Sequence, residues 1–294
     1  MKLSELLSKE GYSLSFEVFP PKTDSNFESV KHATEEIAKL RPSFMSVTYG
    51  AGGGTSKYTL DIAKNIKERY SVPTLAHLTC VSSTRETVAE RIADMRAAGI
   101  ENVLALRGDL PPELAESDRQ GWAYEHAIDL IRELRGSGAD FCIGCACYPE
   151  IHPESRDQKE DIIHLKEKVD AGCSFMTTQM FFDNNLLYNF LYKIRESGIT
   201  VPVIPGIMPI TNGNQIERAI KLSGSFMPQR FKSLVDRFGS SPAAMKQAGI
   251  AYATDQIIDL FANGVKNVHV YSMNKPEVAA AIINNLSDII GCKD

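Results

Sequence analysis

Glu17 is the residue whose type and surroundings point most directly to acid–base chemistry. It lies in Ser15-Phe16-Glu17-Val18-Phe19, where polar and large apolar side chains alternate as in a β-strand. The alternation directs the carboxyl either into a barrel interior or against a layer of helices, and both surroundings disfavour the anion. Glu17 is therefore a candidate general acid near neutral pH. A structural glutamate, paired with a cation or a hydroxyl, explains the same strand equally well.

Other polar residues also follow short apolar runs. Asp109 comes after such a run through Arg107 and Gly108, and its carboxylate could tune a cofactor or hold a polar heterocycle. On the sequence alone, an Arg–Asp ion pair that caps the turn is the favoured interpretation. His77 and His152 belong to no known metal-ligand spacing, so we expect them to form hydrogen bonds and predict no metal site.

Two motifs that often mark function are interpreted as structural. Residues 50–57 are rich in glycine, but Lys57 does not occupy the Walker A position, so the segment is predicted to be a flexible loop. Cys142, Cys145 and Cys147 have a spacing that can bind metal. Strand alternation places the last two on one face and Cys142 on the other, which favours structural thiols over ligands.

The elements that would position these residues alternate between β-rich runs and amphipathic helical segments. No linker or shift in composition divides the chain, and the segments 211–240 and 243–263 contain more helix than one crossover needs. We predict a single α/β domain over 1–294, a (β/α)8 TIM barrel with an extra helix or helices after strand 7. An open doubly wound sheet is the alternative, but the first strand lacks a following G-x-G-x-x-G. The eight predicted strands are Leu14–Phe19, Phe44–Tyr49, Thr74–Cys80, Asn102–Leu106, Phe141–Tyr148, Phe175–Met180, Val201–Ile207 and Val268–Tyr271.

Composition excludes several classes of function. The formal charge of −5 and the pI of 5.8, without a basic block, argue against a nucleic-acid partner. No run approaches the roughly 18 apolar residues of a membrane span, and the amino terminus lacks the apolar core of a signal peptide. We therefore expect a cytoplasmic protein whose 6 cysteines are reduced thiols.

Several motifs together resemble the methylenetetrahydrofolate reductase family, and the resemblance extends in order over essentially the whole chain. Few families share even two of them. They are Ser15-Phe16-Glu17-Val18-Phe19-Pro20-Pro21, Ser46-Val47-Thr48-Tyr49-Gly50, His77-Leu78-Thr79-Cys80, Leu106-Arg107-Gly108-Asp109-Leu110-Pro111, Tyr148-Pro149-Glu150 with His152-Pro153-Glu154, and Thr178-Gln179 with Phe181-Phe182-Asp183.

The resemblance implies an FAD enzyme that reduces 5,10-methylenetetrahydrofolate with NAD(P)H in a ping-pong scheme. Glu17 matches the acid that assists opening of the imidazolidine ring to a 5-iminium cation, which then receives the hydride of flavin N5. Asp109 matches a carboxylate beside the isoalloxazine. The implied cofactor-binding residues are Thr48, Tyr49, Ala51, His77, Arg107, Gly108, Asp109, His126, Ala127, Tyr148, His152, Asp161 and Lys168. The implied substrate-binding residues are Thr48, Asp109, Gln179, Tyr271 and Lys275.

Three positions depart from the family pattern. His126 stands where a tyrosine is common, and Gly213 stands where a bacterial pattern has a phenylalanine that stacks on substrate. Lys275 replaces an expected arginine and lacks its planar fork. These departures leave the electron donor open between NADH, NADPH and a partner protein.

Two other functions remain compatible with the sequence. A flavin-holding subunit fed electrons by a partner protein would share the same barrel, and a folate-binding methyltransferase that serves a corrinoid protein would need neither Glu17 as an acid nor a flavin. The resemblance also leads us to expect a homo-oligomer. It implies no control by S-adenosylmethionine, because the regulatory domain of the eukaryotic members would follow the point at which this chain ends.

Overall fold

The computed structural model describes residues 1–21, 23–49, 56–109, 122–214, 216, 220 and 223–291. Ala51, a predicted cofactor-binding residue, lies outside these ranges, as do Leu110 and Pro111 of the quoted motifs and most of the glycine-rich segment 50–57, including Gly50. That segment was predicted to be a loop, yet a helix begins within it at Ser56.

Strands and helices alternate along the described chain. The strands are β1 (Ser13–Val18), β2 (Met45–Val47), β3 (Thr74–Thr79), β4 (Asn102–Leu106), β5 (Cys142–Cys147), β6 (Phe175–Thr178), β7 (Val203–Ile204), β8 (Gly206–Ile207) and β9 (Asn267–Tyr271). The helices are α1 (Leu3–Leu7), α2 (Phe27–Lys39), α3 (Ser56–Tyr70), α4 (Arg85–Ala97), α5 (Ala127–Gly136), α6 (Gln158–Asp170), α7 (Asn184–Glu196), α8 (Gln229–Phe238), α9 (Pro242–Ala262), α10 (Pro276–Asn285) and α11 (Ser287–Gly291).

The strands form one parallel sheet that curls into a barrel. β1 pairs with β2 on one side and with β9 on the other, and the order continues from β2 to β7. β7 pairs with β6, while β8, one residue further along the chain, pairs with β9. The predicted (β/α)8 barrel is therefore confirmed. Helices α8 and α9, which both follow β8, confirm the predicted insertion after the seventh strand.

The seventh strand differs from its prediction. A single strand over 201–207 is wrong, because Pro205 divides it into β7 and β8. Proline has no N–H to donate to the ladder, so the pairing is interrupted there. The carbonyl of Pro205 still accepts the N–H of His269 at 2.8 Å, which helps to hold the two halves in the barrel wall.

Helix α1 closes the amino end of the barrel. Its leucines pack against inward-facing side chains of five strands and of the residue before β2, in a cluster formed by Leu3, Leu6, Leu7, Phe44, Leu75, Leu104, Cys142, Phe175 and Ile204. Asn102 fixes the helix, since its Oδ1 accepts the N–H of Leu3 at 2.7 Å and its Nδ2 donates to the carbonyl of Thr74 at 3.0 Å. The apolar end leaves space for a polar cavity only toward the carboxyl ends of the strands.

A second, larger core lies between the strands and the surrounding helices. Cys145 and Cys147 belong to this outer core, whereas Cys142 faces the barrel interior, as strand alternation predicts. The cysteines within the described ranges are buried free thiols. Over the same ranges, none of the helices combines the length and apolar character that crossing a membrane would need.

Gly144 on β5 makes room for the ring of Phe175 inside the barrel. A Cβ at this position would lie 2.3 Å from Phe175 Cζ, which is far inside van der Waals contact. We predict that Gly144→Ala lowers the free energy of unfolding by about 1–3 kcal/mol, because the ring has to leave its rotamer. Gly136→Ala, at the end of α5, is the control, since nothing lies within 4 Å of its Cβ. Equal urea midpoints for the two variants would contradict this packing.

Candidate active site

A cavity of about 730 Å³ opens at the carboxyl ends of the strands. The structure brings nearly all the described candidate residues to its wall. Those that line it are Glu17, Thr48, Tyr49, His77, Arg107, Gly108, Asp109, His126, Ala127, Tyr148, His152, Asp161, Lys168, Gln179 and Tyr271. Residues predicted from separate strands and loops thus share one site.

Lys275 is the described candidate that does not reach this wall. Its amine donates to Thr211 Oγ1 at 2.7 Å, in the loop that follows β8. The side chain therefore ties two mouth loops together instead of facing the cavity. The positive charge of a lysine sits on its single terminal nitrogen, so the hydrogen bond to Thr211 fixes the position of the Lys275 charge.

Glu17 points into the barrel and forms part of the cavity floor. Its side chain is 20% exposed, so a ligand in the cavity can reach it although most of it is removed from water. Burial raises the pKa of Glu17 to about 8. The carboxyl is therefore largely protonated at neutral pH, which is the state a general acid requires.

The imidazole nearest to Glu17 does not neutralise a carboxylate. His77 Nε2 lies 3.7 Å from Glu17 Oε2, which is too long for a hydrogen bond. Burial also lowers the pKa of His77 to about 3, so the ring is neutral. In the part of the chain that the structure describes, no other basic side chain lies within ion-pairing distance of Glu17. The structural interpretation of Glu17 as one half of an ion pair therefore loses its support.

A chain of hydrogen bonds connects Glu17 to His269 through Ser46. Burial lowers the pKa of His269 to about 3, so this ring is neutral and carries one N–H. Ser15 Oγ donates to the carbonyl of Val268 at 3.1 Å and lies 2.7 Å from His269 Nδ1. The two ring nitrogens of His269 therefore lie between two serine hydroxyls, those of Ser15 and Ser46.

Ser46 lies between His269 and Glu17. Its Oγ is 2.9 Å from His269 Nε2, and its hydrogen bond to Glu17 lowers the pKa of that carboxyl. Desolvation acts in the opposite direction and is the larger effect, so the pKa of Glu17 is raised. Burial therefore favours the neutral acid.

One side of the cavity is polar. It lies beyond β4 and β5 and reaches α6. Arg107 forms an ion pair with Glu154, with 2.5 Å between Nη1 and Oε2. Asp161 accepts the backbone N–H of His152 at 3.0 Å, and burial raises the pKa of this carboxyl. Lys168 lines the same side. These groups offer both donors and acceptors to a long polar ligand.

The opposite side of the cavity is less polar. Met180, Met208 and Met273 line it at the ends of three strands. Tyr271 extends from β9 beneath them and donates to the carbonyl of Thr178 at 2.5 Å. Thioether side chains adapt to flat ligands, so this wall suits an aromatic heterocycle.

Sequence reasoning missed the residues that support Glu17. It gave no role to His269, Ser15 or Ser46, although His269 and Tyr271 occupy alternate positions of the same strand. That period of two was the available signal, because both side chains face the interior when one of them does. The methionine wall carried no comparable signal, since isolated methionines are common in cores.

Gly213 differs from the family pattern for a packing reason. A Cβ there would lie 2.8 Å from the carbonyl oxygen of Gly239 and 2.9 Å from its Cα, at the end of α8. The backbone of one loop lies directly on the other. A phenylalanine at this position would require the two segments to separate.

Two buried polar atoms fit a bound polar cofactor. His77 Nε2 and Thr177 Oγ1 have no hydrogen-bond partner among the described residues, and both residues line the cavity. Buried polar atoms rarely stay unsatisfied in a functional protein. With the adjoining polar side, they suit a ligand that carries several hydrogen-bonding groups. The cavity volume also falls within the range of roughly 300–1,000 Å³ typical of small-molecule and cofactor sites.

A polar cavity at the carboxyl mouth of a parallel barrel is the active-site arrangement of (β/α)8 enzymes. The family model described as methylenetetrahydrofolate reductase matches residues 2–287. The chain belongs to the methylenetetrahydrofolate reductase family, a family of oxidoreductases.

Relatives agree with this assignment, and a solved structure shares the fold. The chain is 36% identical to the 5,10-methylenetetrahydrofolate reductase of Pectobacterium carotovorum subsp. carotovorum over 274 residues, which is 93% of this chain and 90% of that protein. It is 33% identical to methylenetetrahydrofolate reductase (NADH) 1 of Zea mays, matching 97% of this chain but spanning only 50% of the plant protein. A Clostridium thermocellum protein described as binding two copies of 5-methyl-5,6,7,8-tetrahydrofolic acid has the same fold, with a TM-score of 0.68, 14% identity and coverage of 99% of this chain and 100% of that one.

Removal of the Glu17 carboxyl should change how stability depends on pH. The folded-state pKa of about 8 lies above the ordinary pKa of 4.5 for a glutamate side chain. The proton on Glu17 therefore stabilises the fold fully below 4.5, and this contribution is lost as the pH rises to about 8. We predict that the free energy of unfolding of Glu17→Gln, relative to the wild type, increases by about 1.4 kcal/mol per pH unit inside this window.

The control for this measurement is Glu90→Gln, which removes an exposed carboxyl of α4. Urea unfolding at several pH values gives the difference between each variant and the wild type. A difference for Glu17→Gln that stays flat across the window would show that the carboxyl is not held protonated.

Proposed function

We propose that this chain reduces 5,10-methylenetetrahydrofolate to 5-methyltetrahydrofolate, with FAD as cofactor and NAD(P)H as electron donor. The observation that carries the proposal is Glu17, a carboxyl that lines the cavity and whose pKa is raised to about 8 by burial. Opening the imidazolidine ring of the substrate breaks the bond between the methylene carbon and the aryl-substituted nitrogen, and that departing nitrogen must take up a proton. Glu17 supplies a proton inside the cavity where this ring would bind.

The polar side of the cavity would hold the cofactor. Arg107, Asp161 and Lys168 offer charges of both signs, and His77 has an unused nitrogen. Bound FAD supplies hydride chemistry, which no amino-acid side chain provides. Asp109 is exposed at the mouth beside Arg107 and would contact both the cofactor and the pterin.

The substrate would lie on the methionine side of the cavity. Gln179 follows β6 there, and its Oε1 accepts the N–H of Met180 at 2.9 Å, which orients the amide. The Gln179 side chain also hydrogen-bonds Tyr148, so the amide is held between two neighbours. Thr48 at the end of β2 and Tyr271 at the end of β9 complete the proposed folate and nicotinamide site.

A partner protein that feeds electrons to the barrel is the second candidate. It is favoured by the close packing of Gly213 on Gly239, which excludes an aromatic side chain at that position, and by the engagement of Lys275 with Thr211. In this case the barrel would bind folate and flavin as proposed, but would not oxidise NADH or NADPH alone. Homo-oligomeric assembly and a cytoplasmic location remain predictions from the sequence.

Glu17→Gln should separate the two halves of the reaction. We expect the variant to bind FAD and to be reduced anaerobically by the nicotinamide donor at close to the wild-type rate, because this half-reaction needs no proton from residue 17. Oxidation by methylenetetrahydrofolate should fall by at least about 100-fold. The same wild-type step should slow as the pH rises through about 8, where the acid loses its proton.

Stopped-flow absorbance at the flavin maximum measures both steps. Equal loss in the two half-reactions would contradict the role of Glu17. Failure of NADH and NADPH alike to bleach the wild-type flavin, while a chemical reductant does and folate then reoxidises it, would favour the partner-fed enzyme. A purified protein that contains and binds no flavin would favour folate-dependent methyl transfer to a corrinoid protein.

Asp109→Asn should affect both ligands together. The carboxylate lies at the mouth after β4, between the polar side and the proposed pterin site. We predict that the variant reduces its flavin at a different rate and binds folate about tenfold more weakly, because a charged hydrogen bond becomes a neutral one. Flavin reduction kinetics and folate titration provide the measurements. Values matching the wild type in both would remove Asp109 from the site.

A further inference from the structure

The loop that follows β9 has an unusual backbone. Met273 and Asn274, with φ of 54° and 52°, lie in the left-handed region, which residues other than glycine rarely occupy. Asparagine tolerates this conformation better than most residues, but two such residues in succession store strain. Strain of this kind persists only where the surrounding structure imposes it. The contacts of the loop therefore indicate what it holds in place.

The side chain of Asn274 continues the barrel ladder beyond the ends of two strands. The last paired residues of β1 and β9 are Glu17 and Tyr271. Beyond them, Asn274 Oδ1 accepts the N–H of Phe19 at 3.0 Å, and Asn274 Nδ2 donates to the carbonyl of Phe19 at 2.9 Å. One side-chain amide thus satisfies both backbone groups of Phe19, as a neighbouring strand would.

A second contact from the same loop reaches the backbone of Glu17 itself. Ser272 is buried, and its Oγ donates to the carbonyl of Glu17 at 2.6 Å. The carbonyl of Ser272 accepts the N–H of Lys275 at 3.0 Å, and the amine of Lys275 is held by Thr211. The loop is therefore bonded to the end of β1 on one side and to the loop after β8 on the other.

We propose that Asn274 is a positioning residue for Glu17, and that together with Ser272 it fixes the end of β1 so that the acid stays on the cavity floor. Neither Asn274 nor Ser272 is among the residues that line the cavity, so both act through Glu17 and not on a ligand. The consequence for catalysis rests on the proposed function, whereas the placement of the carboxyl does not.

Asn274→Gly tests the proposal, because glycine adopts a positive φ freely and the variant loses only the two hydrogen bonds. We expect the end of β1 to shift and water to reach the carboxyl, which lowers the pKa of Glu17 from about 8 toward its ordinary value. The expected shift is at least about one pH unit. Urea unfolding of the full-length protein compares Asn274→Gly with Asn274→Gly/Glu17→Gln over a range of pH. The window in which their difference changes should end near pH 7 or below, and not near pH 8.

The other titratable groups that face Glu17 in the described structure do not titrate in this window. Burial lowers the pKa of His77 on β3 and of His269 on β9 to about 3. The pKa of Tyr271 on β9 is raised well above its ordinary value, mainly by burial. A change in the upper end of the window is therefore a change in Glu17.

On the FAD-loaded protein, the same variant should show a loss of rate that depends on pH. A pKa lower by one unit reduces the protonated fraction at pH 8 from about one half to about one tenth. The folate half-reaction should therefore slow about fivefold at pH 8 and stay close to the wild-type rate near pH 6. Flavin reduction by the donor should not change. A purely structural role would instead slow both half-reactions at every pH.

Two further variants complete the comparison. Ser272→Ala removes the donor to the Glu17 carbonyl with little change in shape, and it should move the window in the same direction. Asn263→Gly is the matched control, because it also removes an amide that makes two hydrogen bonds, here to the carbonyl and Oδ1 of Asp259. It lies at the far end of the barrel, just after α9, and should leave the window and the rates as in the wild type.

Each result leads to a definite conclusion. A window that moves in Asn274→Gly and Ser272→Ala but not in Asn263→Gly supports the proposal. A window that ends near pH 8 in every variant overturns it, even if the variants are less stable. If Asn274→Gly does not fold, Ser272→Ala decides. A moved window in a chain whose wild type reduces no folate leaves the positioning of Glu17 standing and overturns the proposed function instead.

Discussion

The site depends on one unfavourable placement, a carboxyl on the floor of a nearly closed barrel. Desolvation would make Glu17 costly as an anion, and the surrounding groups do not supply a compensating cation in the described structure. Two serines and a neutral histidine form a chain of hydrogen bonds beside the carboxyl, and burial outweighs the contact with Ser46. The barrel thus keeps the Glu17 carboxyl protonated without a metal ligand or an ion pair.

The rest of the mouth is arranged around that acid. Charged groups gather on the side that faces α6, while thioethers and an aromatic hydroxyl occupy the other side. A ligand with phosphates and hydroxyls and a ligand with a flat heterocycle are therefore directed to different walls. Both can approach the floor, which is the condition for a transfer between them.

The sequence was sufficient for the fold because each βα unit repeats the same two periodicities, and strand ends in a barrel share one face. That reasoning also brought Glu17, Asp109 and Gln179 to one cavity. It could not find contacts between distant parts of the chain. Ser15 and His269 are 254 positions apart, and no local sequence pattern near either residue indicates that they are in contact.

Other differences have equally physical causes. The break at Pro205 follows from a missing N–H within an otherwise suitable strand, and Lys275 is drawn to Thr211, a partner that no local pattern reveals. The segment before α8 is held by Glu150, which follows β5 and whose carboxylate accepts the N–H of Phe226. Each of these outcomes is decided by a tertiary contact and not by local propensity.

The plug formed by α1 makes the barrel a blind-ended tube. For the proposed reaction, the electron donor and the folate would have to use the same doorway, and each is long enough to obstruct it. One ligand must then leave before the other can bind. The shape of the barrel therefore imposes an alternating order of binding as much as the chemistry does.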